Sequence, residues 1–342
     1  MGVWAHLGVA TRASLLVRFG ADRHSLSRAD AGLRSGVALR MVGADMNAVL
    51  EEKPFLLRLG AFVRFSHTVF ALPFALIAMW EAARQTESGR VALAVFGWIL
   101  LCMVGARTAA MCFNRLMDWE IDKGNPRTAD RHRLVTRPQA WGVLGVSVGA
   151  VFAATWHLNP LCFYLTPLML VIIGFYSLTK RFTAFSHLFL GLALGVAPIG
   201  ASLAVSGVFW RLPAFLLGGA VALWTFGFDL IYSTLDVEFD KGRGLYSFPS
   251  RYGVVAALRL ARTLHVAAAA GFAGFGWASK LGAAYWAGFG VALAGLVWEH
   301  RLARTLDVGL VNRAFFQINA IVSVALLAGV MLDLRVVQNG FR

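Results

Sequence analysis

From Phe62 almost to its C-terminus the chain alternates apolar runs of about twenty residues with short polar loops, the length at which an α-helix crosses a bilayer. The pattern predicts about nine spans, near 65–83, 92–117, 140–157, 160–178, 185–207, 213–235, 253–277, 282–299 and 315–333. Pro198 falls inside the fifth and predicts a kink there, because proline removes a helix hydrogen bond that neighbours must re-satisfy. Residues 1–45 stand apart, rich in arginine, without lysine and without a sustained apolar run. They read as a disordered or transit-like extension, or as a start placed too far upstream. Met41 and Met46 are available starts, and Asp22, Asp30 and Asp45 are out of place in a transit peptide. Residues 46–342 then form one integral membrane domain.

Composition agrees with an all-α, multi-pass membrane protein: 58% of the 342 residues are hydrophobic and 15% charged, with mean hydropathy +0.65. A net charge of +14 would raise nucleic acid as a partner for a soluble chain. Here the basic residues cluster in short loops, so membrane orientation and anionic lipid explain them, and no nucleic acid is expected. Loops after even-numbered spans hold Lys123, Arg127, Lys180, Arg181, Lys241 and Arg243 among others, whereas the remaining loops hold only Arg84, Arg90, Arg211 and Lys280. The richer side is therefore predicted to be cytoplasmic, in a bacterial inner membrane. Cys102, Cys112 and Cys162 lack metal-ligand spacing and read as buried thiols.

The candidate chemistry lies in two acidic stretches at the ends of the second and sixth spans. Positions four apart stack on one helix face, so Asn114, Asp118 and Asp122 form one polar ridge. Asp229, Asp236 and Asp240 repeat the arrangement, with Arg107 at the position matching Asp229. Both ridges end on the same side. The plainer alternative is a pair of helix ends reaching into water. Facing carboxylate clusters need a shared countercharge, and divalent magnesium on a diphosphate supplies it through oxygen ligands. Asp118, Asp122, Asp236 and Asp240 are then the ligands and catalytic residues, with Asn114 as a neutral oxygen ligand.

Basic residues at the same level, Arg127, Lys180 and Arg181, are candidates for the remaining diphosphate charge, although topology alone also explains any one of them. Arg107 lies two turns below Asn114, where an unpaired cation is costly. It either pairs with Asp229 or, like Arg64, receives the carboxylate of an aromatic acid. Among the abundant aromatic residues, Phe113, Tyr176, Phe228 and Tyr232 lie near the ridges and are candidates to shield a carbocation. The loop from Lys241 to Tyr252 is a candidate lid, and a long isoprenoid tail is expected to leave sideways between glycine-rich helices. A transporter with internal repeats competes as a class, but its site is expected near the bilayer midplane rather than at helix ends.

Asn114-x-x-x-Asp118-x-x-x-Asp122 and Asp236-x-x-x-Asp240, with Asn125-Pro126-Arg127-Thr128, Tyr176 through Lys180-Arg181, and Phe228-Asp229-Leu230-Ile231-Tyr232, resemble the UbiA-type superfamily of intramembrane aromatic prenyltransferases. The resemblance runs from about Phe62 to the last span. It implies nine helices around a central cavity, a cytoplasm-facing site, and Mg²⁺-dependent transfer of a polyprenyl group from its diphosphate to an aromatic acceptor, with no obligate protein partner. Ser66 through Pro73 and Asp236-Val237-Glu238-Phe239-Asp240 look most like 4-hydroxybenzoate polyprenyltransferases of quinone biosynthesis. Prenylation of 1,4-dihydroxy-6-naphthoate in the futalosine menaquinone route is the alternative, and haem, chlorophyll or homogentisate prenylation compete. The chain departs from the family at Arg131-His132-Arg133-Leu134, which lacks a usual Pro and Gly, and at Tyr246, where a His is usual.

Overall fold

A computed structural model describes residues 54–64, 70–124, 128, 131–305, 307, 309, 311 and 314–334. The N-terminal extension, His67 and Asn125-Pro126-Arg127 lie outside the described residues. Fourteen α-helices follow one another, and no sheet occurs among the described residues. Helix α1 is Phe55–Phe62, α2 Leu72–Ala83, α3 Leu93–Met117 and α4 Trp119–Gly124. Then come α5 (Arg131–Leu134), α6 (Arg137–Leu158), α7 (Pro160–Thr179), α8 (Ser186–Ser206) and α9 (Leu212–Ser233). The chain closes with α10 (Val237–Gly242), α11 (Phe248–Tyr252), α12 (Val254–Ala278), α13 (Ala283–Ala303) and α14 (Asn319–Asp333).

Local chemistry sets the helix starts. Pro73, Pro138, Pro160 and Pro213 sit in first turns, where a missing N–H costs nothing. Thr136 caps α6 by accepting from the Gln139 N–H while the Gln139 side chain accepts from the Thr136 N–H. Asn159 caps α7 through the Cys162 N–H at 2.9 Å. Pro198 lies inside α8, which nevertheless runs unbroken from Ser186 to Ser206.

Seven segments are long and apolar enough to cross a membrane: Leu93–Met117, Arg137–Leu158, Pro160–Thr179, Ser186–Ser206, Leu212–Gly242, Val254–Ala278 and Phe316–Asp333. The expected first and eighth spans are present as α2 and α13 but fall short of that standard. The described part of α2 has only 12 residues. Helix α13 ends in Glu299, His300 and Arg301, which break its apolar run. Large apolar side chains face outward as lipid requires. Trp156, Trp210 and Trp277, at the end away from the acidic ridges, are 68%, 68% and 82% exposed, an interfacial aromatic girdle.

Helix α9 is central, with Leu217, Val221, Trp224 and Phe228 buried. Phe74 of α2 meets Trp224 edge-on at 5.2 Å and stacks on Phe272 of α12 at 5.6 Å. Helices α8 and α9 cross backbone to backbone. A Cβ on Gly195 would stand 2.6 Å from the Gly218 carbonyl oxygen, and one on Gly218 would stand 2.7 Å from that of Gly195. Lacking a hydrophobic drive between helices in lipid, such small-residue crossings supply contact by close approach. Gly195→Val is expected to cost about 1–3 kcal/mol by forcing the crossing apart, read as a lower melting temperature in detergent.

Several charged groups in the apolar zone are paired. At the end remote from the ridges, Arg211 at the start of α9 contacts Glu81 of α2 at 3.2 Å, both nearly enclosed. Arg84 donates to the Ser279 carbonyl at 3.0 Å. Between α12, α13 and α14, His265 and His300 share a 3.0 Å contact and the Asn319 amide donates to Glu299 at 3.0 Å. These contacts satisfy part of the cluster's hydrogen-bonding capacity and so lower the cost of desolvating it.

Candidate functional site

The acidic end of α3 is not one continuous helix. Asp118 has φ −90° and ψ 13°, in the bridge region between helix and strand, and the chain resumes helical turns in α4. The i→i+4 bonding nevertheless persists, from the Asp118 N–H to the Asn114 carbonyl at 2.9 Å and from the Asp122 N–H to the Asp118 carbonyl at 2.7 Å. The expected ridge therefore survives with a bend in it. The second ridge bends as well: α9 ends at Ser233, one tight turn covers Thr234–Asp236, and Asp236 has φ −106° and ψ 4° before α10 begins.

Both ridges line one cavity of about 430 Å³, together with Arg64, Arg107, Tyr176, Lys180, Arg181 and Tyr232. Asn114, Asp118 and Asp122 come from the first half of the chain; Asp229, Asp236 and Asp240 come from the second. Every expected site residue except Arg127, which lies outside the described residues, thus opens onto the same space. Of the aromatic candidates, Tyr176, Phe228 and Tyr232 line it. Phe113 does not line it and instead lies against Gly174 of α7, its ring carbons 3.8 Å from where a Cβ would stand.

Electrostatics at the mouth are tightly interleaved. Arg181 donates to the Met117 carbonyl at 2.7 Å and lies 3.6 Å from Asp118. Burial alone would pull the Lys180 ammonium down, but Tyr176, Asp240, Asp229 and Asp236 around it hold it above its ordinary value. Burial lifts the Asp118 carboxyl above the usual carboxylate range; Lys180 opposes that shift, Asp122 adds to it, and Arg181 and Arg115 oppose it. Asn114 makes a long 3.5 Å contact to Asp118 through its amide nitrogen, and rotating that amide turns its oxygen toward the cavity instead.

Three participants were not anticipated from the sequence. Arg115, almost enclosed, reaches past one turn to Asp122 at 3.0 Å. Thr128 donates to the Asp122 carbonyl at 2.9 Å, tying the loop after α4 to the ridge. His187, at the start of α8, contacts Asp229 at 2.6 Å. That last contact corrects the expected pairing of Arg107 with Asp229. The histidine, held by a different helix, reaches the carboxylate first, and the Nε of Arg107 is buried without a partner among the described residues. No local pattern signalled His187, whose partner is in another span.

The loop after the second ridge closes over this mouth. The Tyr246 N–H donates to the Lys180 carbonyl at 2.9 Å and the Leu245 N–H to the Asp240 carbonyl at 2.9 Å, and Leu245 lines the cavity. Arg243 lies across Gly124, in the space that a Cβ there would need, so the loops of the two halves touch. Gly244 makes the turn with φ +64°.

The donors are hard oxygens, as a magnesium-like cation prefers. Among the described residues no group of three or more His, Cys, Asp or Glu side chains converges closely enough to hold an ion alone. Separate pairs of carboxylates with room between them suit ions that take the rest of their ligands from substrate phosphate oxygens.

A model of the UbiA prenyltransferase family matches residues 71–321. The chain belongs to that family. Among UbiA relatives, 4-hydroxybenzoate octaprenyltransferase of Ralstonia nicotianae is 32% identical over 252 residues, covering 70% of this chain and 81% of that enzyme. A 4-hydroxybenzoate solanesyltransferase of Synechocystis is 28% identical over 268 residues, covering 75% and 88%. The apo structure of a UbiA homolog from Aeropyrum pernix superposes with TM-score 0.70 and 32% identity over 78% of this chain and 98% of the other. A UbiA homolog from Archaeoglobus fulgidus, solved bound to GPP and Mg2+, has TM-score 0.58 and 16% identity over 80% and 99%, a likeness of fold alone.

Proposed function

We propose that this UbiA-family protein transfers a polyprenyl group from its diphosphate to an aromatic acid, 4-hydroxybenzoate before others, in respiratory quinone biosynthesis. The observation that carries the reading is the meeting of two acidic ridges from separate halves, with Lys180 and Arg181 between them, at one end of a deep apolar cavity. The relatives named for 4-hydroxybenzoate support the acceptor. The excess of basic loops on the ridge side supports a cytoplasmic mouth. A site at helix ends also argues against a midplane transport site.

Asp118, Asp122, Asp236 and Asp240, with Asn114, would hold Mg²⁺, which when bound draws charge onto the diphosphate and makes it a better leaving group. Lys180 and Arg181 add fixed positive charge beside the phosphates, where a water-poor site makes it count. The allylic carbon–oxygen bond then breaks, its electron pair leaving on the diphosphate. The ring carbon beside the phenol hydroxyl attacks the allylic cation, and the displaced ring proton leaves on the diphosphate. Tyr176, Phe228 and Tyr232 face this space and shield the cation. The Lys241–Tyr252 loop excludes water that would otherwise capture it.

Arg107, cavity-facing and with its Nε unpartnered, receives the acceptor carboxylate. Arg107→Leu is accordingly expected to lower kcat/KM for 4-hydroxybenzoate by about 10–100-fold, the worth of a charge-assisted hydrogen bond, while an uncharged phenol is prenylated as before. The whole reading is tested by incubating purified protein with labelled octaprenyl diphosphate, a panel of phenolic acids including 1,4-dihydroxy-6-naphthoate, and Mg²⁺ or a chelator. Metal-dependent product from 4-hydroxybenzoate is expected. No product from any aromatic acceptor overturns the reading, and preference for the naphthoate moves the protein to the menaquinone route.

A further inference from the structure

Helices α12 and α13 stand outside the site described above, and no residue of either lines its cavity. Helix α12 packs chiefly on α9 and α13 chiefly on α14, so the two touch each other less than either touches its main neighbour. Their register is fixed by the 3.0 Å approach of His265 on α12 to His300 on α13. A short turn joins them and they run in opposite directions. Residues before His265 and residues after His300 therefore climb together toward the end that holds the acidic ridges.

Four arginines lie on that climb. Arg262 comes three residues before His265 and Arg304 four residues after His300, about 4.5 and 6 Å along their axes, so the two stems leave neighbouring helices at one level. Both charges are close enough to act on the His300 ring. Arg259, a turn above Arg262, and Arg301, a turn below Arg304, extend the patch over about 8 Å of depth. All four are exposed, and among the described residues no carboxylate pairs with any of them. Glu299, the nearest acid along α13, is turned inward to the Asn319 amide.

Orientation by loop charge accounts for basic residues in loops, but Arg259 and Arg262 lie within α12, where an unpaired cation is costly. That helix has 25 residues, about 37 Å against roughly 30 Å of hydrocarbon, so its upper turns reach the phosphate layer. A guanidinium at that level is matched bidentately by a lipid phosphate. Directly below the arginines, Val266 on α12 and Val297 on α13 are 67% and 54% exposed, an apolar wall at the depth of acyl chains.

We propose that the outer face between α12 and α13 is a binding site for an anionic phospholipid with two phosphates, of the cardiolipin class. Arg259, Arg262, Arg301 and Arg304 hold its headgroup, and its acyl chains lie along Val266 and Val297. A basic pocket between helices on the side predicted to be cytoplasmic suits such a headgroup, and four cations spread over two helices suit two linked phosphates better than one.

The full chain, purified in detergent and stripped of native lipid, is titrated with cardiolipin or phosphatidylcholine and read by native mass spectrometry and by melting temperature. One cardiolipin per chain is expected, bound at least tenfold more tightly than phosphatidylcholine and raising the melting temperature. Arg262→Gln with Arg304→Gln is expected to weaken cardiolipin binding at least tenfold and to remove the melting shift. Arg259→Gln with Arg301→Gln, made independently, is expected to weaken it at least threefold. Arg133→Gln with Arg137→Gln removes the same charge from the ridge side of the other half, also at exposed positions, and is expected to change binding less than twofold. Melting curves without lipid report that each variant folds. Equal loss in the Arg133 and Arg137 variant, or undiminished cardiolipin binding in a folded Arg262 and Arg304 variant, makes the four arginines general surface charge and overturns the proposal. Displacement of bound cardiolipin by an equal concentration of inorganic diphosphate or octaprenyl diphosphate overturns it as well, by assigning the patch to free phosphate or to the prenyl donor.

Discussion

Asp118→Ala and Asp236→Ala are each expected to lower prenyl transfer by at least about a thousandfold, which corresponds to roughly 4 kcal/mol of lost transition-state stabilisation. The size follows from what the two residues do together. Each stands at a bend between two helical segments, Asp118 between α3 and α4 and Asp236 between the turn after α9 and α10. Each bend carries its carboxylate to the cavity mouth. The two come from different halves, so neither can replace the other in holding a cation against the diphosphate. Folding should survive, because Asp118 is costly to bury and removing it relieves that cost. Radiolabelled product, measured beside the detergent melting curve and gel-filtration profile, checks this. Activity within tenfold of wild type in either folded variant removes the residue from the metal-binding set.

Lys180→Met is expected to lower kcat/KM by about a hundredfold, near 3 kcal/mol. The loss should appear chiefly as weaker retention of the diphosphate. Lys180 follows the last turn of α7 and is surrounded by Tyr176, Asp240, Asp229 and Asp236, which keep it charged despite its burial. It serves the second ridge and also acts on Asp118 of the first, where Arg115 pairs with Asp122 and Arg181 lies beside Asp118. Methionine preserves the stem's packing while deleting the charge, so inorganic diphosphate should inhibit the variant far more weakly than it inhibits wild type. Equal inhibition constants in the two proteins would assign Lys180 to structure alone.

The part of this site that could be read from the chain is the part written in short-range spacing. Asn114, Asp118 and Asp122 recur every four residues, and an apolar run places them at a helix end; Asp236 and Asp240 repeat that spacing after a second run, with Asp229 seven residues earlier. Lys180 and Arg181 could be read because the loop that holds them is short. His187 could not, since a lone histidine at the head of an apolar helix carries no mark of a carboxylate 42 positions away. Arg115 pairs with Asp122 across seven positions, about two turns, past the bend at Asp118. Glu81 was hidden for the same reason as His187: its partner Arg211 lies 130 positions on. Seven of the nine expected spans were legible as apolar runs long enough to cross a membrane, whereas α13 ends in Glu299, His300 and Arg301 and packs against α14.

Local periodicity and the cost of placing backbone and charge in lipid determined the helices, their rough ends, the side on which both acidic ridges lie and the residue types that face one another. The tertiary structure alone decided which cation pairs with which acid, the bends that aim Asp118 and Asp236 inward, and the depth of the cavity beneath them. Pairing and cavity shape arise between helices far apart in the chain, and the energy that selects them belongs to the packed bundle rather than to any segment of it.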